Sequence, residues 1–248
     1  MSIDDERDLE ALRAAGRVVH AALEAMSAAV APGVTTAELD AIAARVFHHH
    51  RARSAPRLVY DFPGETCISV NDEIVHGIPS GARALREGDL VKLDVTVEKN
   101  GFMADAAVTR AVGRVSEKAR RLMACAESAF RRALREVRPG RRACDVGGAV
   151  EAEVERHGFS VVRMLTGHGI GRTIHEEPTV PNWADPTARA WLTKGLVITV
   201  EPIIAMGSGE AYQAGDGWTI RTRDGLPAAH FEHTLVVTNG APMVVTAA

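Results

Sequence analysis

Two landmarks occur twice in this chain, and both recur after the same interval. Pro32-Gly33 returns as Pro139-Gly140, and the glycine-led stretch Gly88–Asp94 returns as Gly195–Glu201, each copy 107 residues downstream of the first. A Pro-Gly pair alone is common. Two landmarks at one offset, in the same structural roles, indicate a duplicated helix–helix–strand unit. Each Pro-Gly closes an amphipathic segment. In the first copy Leu9, Leu12, Gly16, Val19, Leu23, Met26 and Val30 form one apolar stripe over residues 4–30. In the second, Leu122, Ala126, Ala129, Ala133 and Val137 do the same over 117–137. A second helix follows each: Thr35 and Glu38 form a capping box that starts a helix to about Phe47, and its counterpart runs to about His157. With no linker or low-complexity stretch, residues 1–248 read as one domain, with halves at about 1–113 and 114–248. The duplication sets Asp94 and Glu201 at equivalent ends of two related strands, facing each other across a pseudo-two-fold.

Four carboxylates decide the chemistry. Asp94, Asp105, Glu201 and Glu232 each interrupt an apolar strand-like run, where an unpaired charge is costly. Asn100-Gly101 marks a two-residue hairpin turn between strands 88–97 and 102–112. If residue 99 faces 102, then Asp105 lies opposite Thr96, diagonal to Asp94 and on the same face, about 7–8 Å away at the backbone. Ala104, Ala106 and Val108 alternate with Asp105, so the hairpin is not a simple solvated face. The stretch His168–Glu177 adds two histidines among glycines, after a strand-like run (Phe159–Leu165) and before a stop at Pro178. One imidazole with four carboxylates and no thiolate suits a pair of divalent ions such as Mn, Fe, Co or Zn. Such a pair acidifies water and polarises a carbonyl, so the reaction class is hydrolysis.

Elsewhere, residues 58–62 and 66–75 read as short strands, His76 enters a turn, His168–Glu177 reads as a loop, 182–194 is loop-like or loosely helical, and Trp218–Arg223, Asp224-Gly225 and Phe231–Thr238 form a last hairpin carrying Glu232. Three adjacent histidines, His48 to His50, cannot share one helical face and read as a solvated helix end. The net charge of −3 and the 25% of charged residues give no sign of a nucleic-acid or membrane partner. Cys67, Cys125 and Cys144 are odd in number and widely spaced, as expected of reduced thiols in a cytoplasmic protein. The start of the chain lacks the apolar stretch of a signal peptide, and no run approaches a membrane span.

The segments NDEIVHGIP, KLDVTVEKNGFMADAAVT, GHGIGRTIHEEP, ITVEPI and DGWTIRTRDGLPAAHFEHTLVVT, in this order, resemble type I methionine aminopeptidases over essentially the whole chain. The resemblance implies an α+β pita-bread fold, with two pseudo-two-fold related halves around a curved antiparallel sheet. It implies metal ligands Asp94, Asp105, His168, Glu201 and Glu232 for two divalent ions (Co, Mn, Fe, Zn or Ni). It also implies that His76 and His175 contact substrate and the tetrahedral intermediate, that Glu201 takes a proton from the attacking water, and that Cys67, Phe62 and Trp218 bind the substrate methionine. The implied partners are the N-termini of nascent polypeptides near the ribosome exit, met by a monomer. The chain departs from the family pattern at Val59, where an aromatic is usual, at Asp61 in place of glycine, and at Ile174, which points to a looser methionine pocket. X-Pro peptidases share the scaffold but bring an extra N-terminal domain, and non-enzymatic relatives lose ligands that this chain keeps.

Overall fold

The structure, a computed structural model, describes residues 1–247. Helix α1 (Glu6–Ala29) is capped by Asp5, whose carboxylate accepts the Asp8 amide, and its stripe of Leu12, Val19, Leu23 and Met26 is buried. Helix α2 (Thr36–His49) starts with the expected reciprocal box between Thr35 and Glu38. After β1 (Arg53–Ser54), residues predicted as a strand instead form a short helix, α3 (Ala55–Tyr60). Ser54 caps it through the Arg57 amide and a proline sits in its first turn, so cap chemistry outweighs the β-preference of Val59-Tyr60. Strands β2 (Cys67–Val70) and β3 (Glu73–Val75) lead into the long hairpin of β4 (Leu90–Lys99) and β5 (Phe102–Ala111). Asn100 and Gly101 have φ of 55° and 81°, the doubly left-handed turn that fits strand twist.

The second half repeats the pattern with α4 (Glu117–Ala133) and α5 (Ala143–Arg156), followed by β6 (Ser160–Val161), β7 (Gly167–Gly169), β8 (Glu176–Val180) and β9 (Val197–Val200). Then come β10 (Ile203–Ala205), β11 (Ala211–Gln213), β12 (Ile220–Thr222), β13 (Ala228–His230), β14 (Glu232–Val236) and β15 (Met243–Val244). The 107-residue repeat extends to single hydrogen bonds. Leu85 N–H donates to Val34 O and Leu192 N–H to Arg141 O, both at 2.8 Å. Thr35 pairs with Ala84 and Arg142 with Trp191. Glycines at equivalent positions share backbone conformations: φ is 90° and 85° at Gly33 and Gly140, and 92° and 86° at Gly88 and Gly195.

A nine-stranded antiparallel sheet runs β1-β4-β5-β14-β9-β7-β8, with β2 also on β4 and β15 also on β14. Val91, Leu93, Val95 and Val97 of β4, with Ala104, Ala106 and Val108 of β5, pack with α1 and α2 into one core. Leu122, Ala126, Val150 and Val154 of α4 and α5 pack with Ile198, Val200 and Leu235 into another. Side chains alternate across a strand, so Asp94, Thr96 and Asp105 belong to the face away from α1 and α2. Two three-stranded sheets, β13-β10-β6 and β11-β12-β3, accompany the large one.

Four further expectations need correction. Phe159–Leu165 is a strand only at Ser160–Val161. His168–Glu177 is not a plain loop, because it starts in β7 and ends in β8. The glycines of β7 serve close strand packing: a Cβ on Gly169 would meet Glu177 O at 2.2 Å, and one on Gly167 would meet Thr199 O at 2.8 Å. Pro178 does not stop that segment but lies inside β8, the outermost strand, where a missing N–H leaves no ladder bond unmade. The last hairpin does not exist either. β12 pairs with β11 and β3, whereas β14 pairs with β5, β9 and β15. The chain changes sheet at Phe231, between β13 and β14, which alternation of apolar residues does not reveal.

Candidate metal centre

The register of the β4–β5 hairpin is the expected one: Lys99 faces Phe102, Thr96 faces Asp105 and Asp94 faces Ala107. Glu232 opens β14 and lies opposite Ala107, which brings a third carboxylate beside the first two. Glu201 follows the last residue of β9. Its carboxylate Oε1 accepts a 2.7 Å bond from Thr199 Oγ1, and its carbonyl accepts one from Asn182 Nδ2 at 2.9 Å. His168 sits on the neighbouring β7, its amide donating to the same Thr199 hydroxyl at 3.1 Å. Its Nδ1 lies 2.9 Å from Gly169 O, so Nδ1 carries the proton and the Nε2 lone pair faces Glu201 Oε1 at 3.5 Å.

All ten residues singled out from the sequence line one cavity of about 310 Å³. One end is acidic, with Asp94, Asp105, Glu201 and Glu232. Apolar groups line the rest: Phe62 and Trp218 meet edge-to-face with ring centroids 5.1 Å apart, Leu165 and Ile174 join the lining, and Cys67 lies directly across the strand pair from Asp94. His76 and His175 line the same cavity. Tyr60 Oη lies 2.5 Å from His175 Nδ1 and so fixes the ring, which stacks obliquely 4.3 Å from His168. His76 itself adopts a left-handed backbone, φ 58°. Val59 lies outside the cavity and packs against the first core, so it cannot loosen the pocket as expected; Tyr60 presents the aromatic ring instead. Asp61 occupies a left-handed position at the end of α3, the conformation that glycine would adopt freely.

Electrostatics mark the acidic end as a cation site. Burial, with the mutual repulsion of the carboxylates, pushes Asp94 and Glu232 well above the usual carboxylate range. Burial raises Asp105 to about 7 and Glu201 to about 8. It also holds His168 and His76 down to about 4, because an imidazolium would lose its hydration there. Asp105 Oδ1, Glu232 Oε1 and both ring nitrogens of His230 are buried with no hydrogen-bond partner. Orphaned polar atoms of this kind are expensive unless something satisfies them. Donor atoms of Asp105, His168 and Glu232 lie within 4.8 Å of one another, as do those of Glu201, His230 and Glu232. The residues present therefore fit a metal ion, with oxygen donors in the majority.

Sequence reasoning missed His230, Tyr60 and Thr199. Alternation offered a signal for Thr199, which precedes Glu201 by two residues, but not for His230, which lies in a different sheet from Glu232. Tyr60 left none, since its contact with His175 spans 115 residues.

Comparison with known proteins follows the same lines. The model of the family described as metallopeptidase family M24 matches residues 10–239. Methionine aminopeptidase 2 of Bacillus subtilis is 42% identical over 99% of each chain, and a methionine aminopeptidase of Clostridium perfringens is 38% identical over 98% of each. The crystal structure of methionine aminopeptidase from Thermotoga maritima superposes with a TM-score of 0.97 at 34% identity, covering 100% of both chains. Prolidase from Pyrococcus furiosus, at 21% identity and a TM-score of 0.80, covers 99% of this chain and 65% of its own, a likeness of fold alone. The pita-bread fold expected from the sequence is the fold of these structures.

Proposed function

The chain belongs to metallopeptidase family M24, and on that premise we propose that it is a methionine aminopeptidase, removing the N-terminal methionine from polypeptides with a small second residue. The observation that carries this reading is one cavity lined both by four carboxylates and by a thiol and two aromatic rings. Asp94, Asp105, His168, Glu201 and Glu232 would hold two divalent ions. When bound, the ions supply Lewis acidity toward the scissile carbonyl and lower the pKa of water.

The chain's own groups do the rest. Phe62, Trp218 and Cys67 receive the methionine side chain, whose flexible, polarizable thioether suits such a wall. A charged first residue would lose its hydration there without a partner. Glu201, steadied by the Thr199 hydroxyl on one oxygen, takes the proton of the attacking water and delivers it to the departing amine as the C–N bond breaks. His175, with Nδ1 occupied by Tyr60, directs Nε2 into the cavity, where it and His76 hydrogen-bond the reacting carbonyl oxygen. The natural substrates on this reading are nascent chains emerging at the ribosome exit, met in the cytoplasm by a monomer. Among the described residues no helix is long and apolar enough to cross a membrane.

The test is a peptide series, Met-X-Ser with X varied beside Leu-Ala-Ser and Lys-Ala-Ser, with metal analysis of the same samples. We expect Met-Ala-Ser to be cleaved in proportion to bound metal, Leu-Ala-Ser weakly, and Lys-Ala-Ser not at all. Equal rates for X = Ala and X = Arg, or for Lys-Ala-Ser and Met-Ala-Ser, would end this reading.

A further inference from the structure

We propose that His230 is a second imidazole ligand of the metal centre, placed across Glu201 from His168. The inference rests on the reading of the cavity as a metal site and adds a residue to it. His230 Nε2 lies 3.3 Å from Glu232 Oε2 and 3.9 Å from Glu201 Oε2. Ligand atoms about 2.0–2.2 Å from a common ion are themselves roughly 3–4 Å apart, so these separations suit three atoms around one ion. His168 Nε2 stands in the same relation to the other oxygen of Glu201, at 3.5 Å. Glu201 thus presents one oxygen to each of two imidazoles.

The ring of His230 has nothing else to do. It is 2% exposed, and neither nitrogen has a hydrogen-bond partner, although Nε2 lies so near two carboxylates. A buried polar ring without partners is costly, and an ion at Nε2 satisfies that nitrogen while Nδ1 carries the proton. The backbone shows that the placement is built. Thr109 Oγ1 accepts from His230 N–H and donates to His230 O, both at 2.8 Å, which pins the end of β13 to β5. The ring is therefore aimed by its main chain, with its own atoms left over. A second nitrogen donor favours ions high in the Irving–Williams order, such as Co, Ni and Zn, over Mn.

The test uses the full chain loaded with two equivalents of Co(II). Proton NMR in water shows the free ring N–H of each metal-bound imidazole as a paramagnetically shifted line that vanishes in D2O. We expect two such lines from the unmodified protein, one from His230→Gln and one from His168→Gln, with Co(II) affinity lowered about tenfold or more by His230→Gln and Mn(II) affinity less so. A single line from the unmodified protein, surviving in His230→Gln, overturns the inference and leaves the metal site standing. No shifted line at all removes the metal reading and this inference with it. The unmodified protein alone decides the count, so failure of a variant to fold does not spare the proposal.

Discussion

The two halves share a plan and use it differently. In the first, β4 runs ten residues and returns at once through Asn100-Gly101 into an equally long β5. In the second, β9 stops after four residues at Pro202, and the chain makes a detour through β10 to β13 before β14 resumes beside it. The detour brings Trp218 and His230 to the cavity. The first half contributes a rigid, uninterrupted platform with short carboxylates, Asp94 and Asp105. The second contributes longer ones, Glu201 and Glu232, and much of the wall around them. Duplication supplied matching positions; the inserted segment made the two sides unequal.

The sharpest way to break this comparison is at its most nearly symmetric pair. Both Asp94→Asn and Glu201→Gln remove a charge from the cavity, at positions 107 residues apart. Glu201→Gln should lower kcat by roughly 10²–10⁴-fold, the range for a positioned acid–base group, and excess metal should not restore it. Asp94→Asn should lose metal and recover part of its turnover as metal is raised. Identical rescue of both variants would show that the halves divide the work equally. Metal titrations of kcat alongside direct metal analysis distinguish the two.

A second prediction concerns the glycines that lead the repeated strands. Gly88 and Gly195 share a left-handed φ, so alanine at either is strained by about 1–2 kcal/mol. Their surroundings differ: the nearest atom to an added Cβ is Arg114 O at 3.9 Å for Gly88, but Ile3 O at 2.8 Å for Gly195. Chemical denaturation should therefore find Gly195→Ala less stable than Gly88→Ala by roughly a further 1 kcal/mol, the lower end for an overpacked site. Equal losses would mean that the segment at Ile3 yields.

A third effect, of similar size, is on pH. Asp105 of one half and Glu201 of the other have folded pKa values raised to about 7 and about 8, above their ordinary values of 3.8 and 4.5. The metal-free folded state then binds more protons than the unfolded chain, so this contribution is complete below about pH 4 and is lost as pH rises through 7 and 8. The buried histidines act oppositely, with His168 and His76 lowered to about 4 from 6.5, but only below pH 6.5. Between pH 6.5 and 8 the carboxylates are opposed only by Lys92, whose burial lowers it to about 7 from 10.5, so that it contributes stability as pH rises. Asp94 and Glu232, raised as well, add to the loss. Metal-free protein should lose on the order of 1–2 kcal/mol across that interval. Metal-loaded protein should not, and a flat profile with chelator present would contradict the burial of these groups.

The first half was more legible than the second for a physical reason. Its capping box, doubly left-handed turn and hairpin register are all local, with interacting residues three to twenty-one positions apart. The detour is not local: β12 finds β3 across some 145 residues, and Phe231 separates strands of different sheets. Carboxylates in apolar runs announced the acidic end of the cavity because burial of charge demands a reason. His230, by contrast, looked like any histidine near a strand until its ring proved to have no partner. Val59 and Tyr60 were misread together, since a helix turn and a strand expose opposite neighbours.

The place where the halves join has a consequence of its own. β5 meets β14 through only two paired positions, Ala107 with Glu232 and Ala106 with His233. One threonine extends the seam, Thr234 Oγ1 accepting from Asp105 N–H at 2.9 Å and donating to Asp105 O at 2.8 Å. Asp105 and Glu232 therefore stand on either bank of a short crossing between the halves. An ion gripped by both acts as a rivet, and chelating it should quicken amide hydrogen exchange along this crossing before it does so beneath α1 or α4.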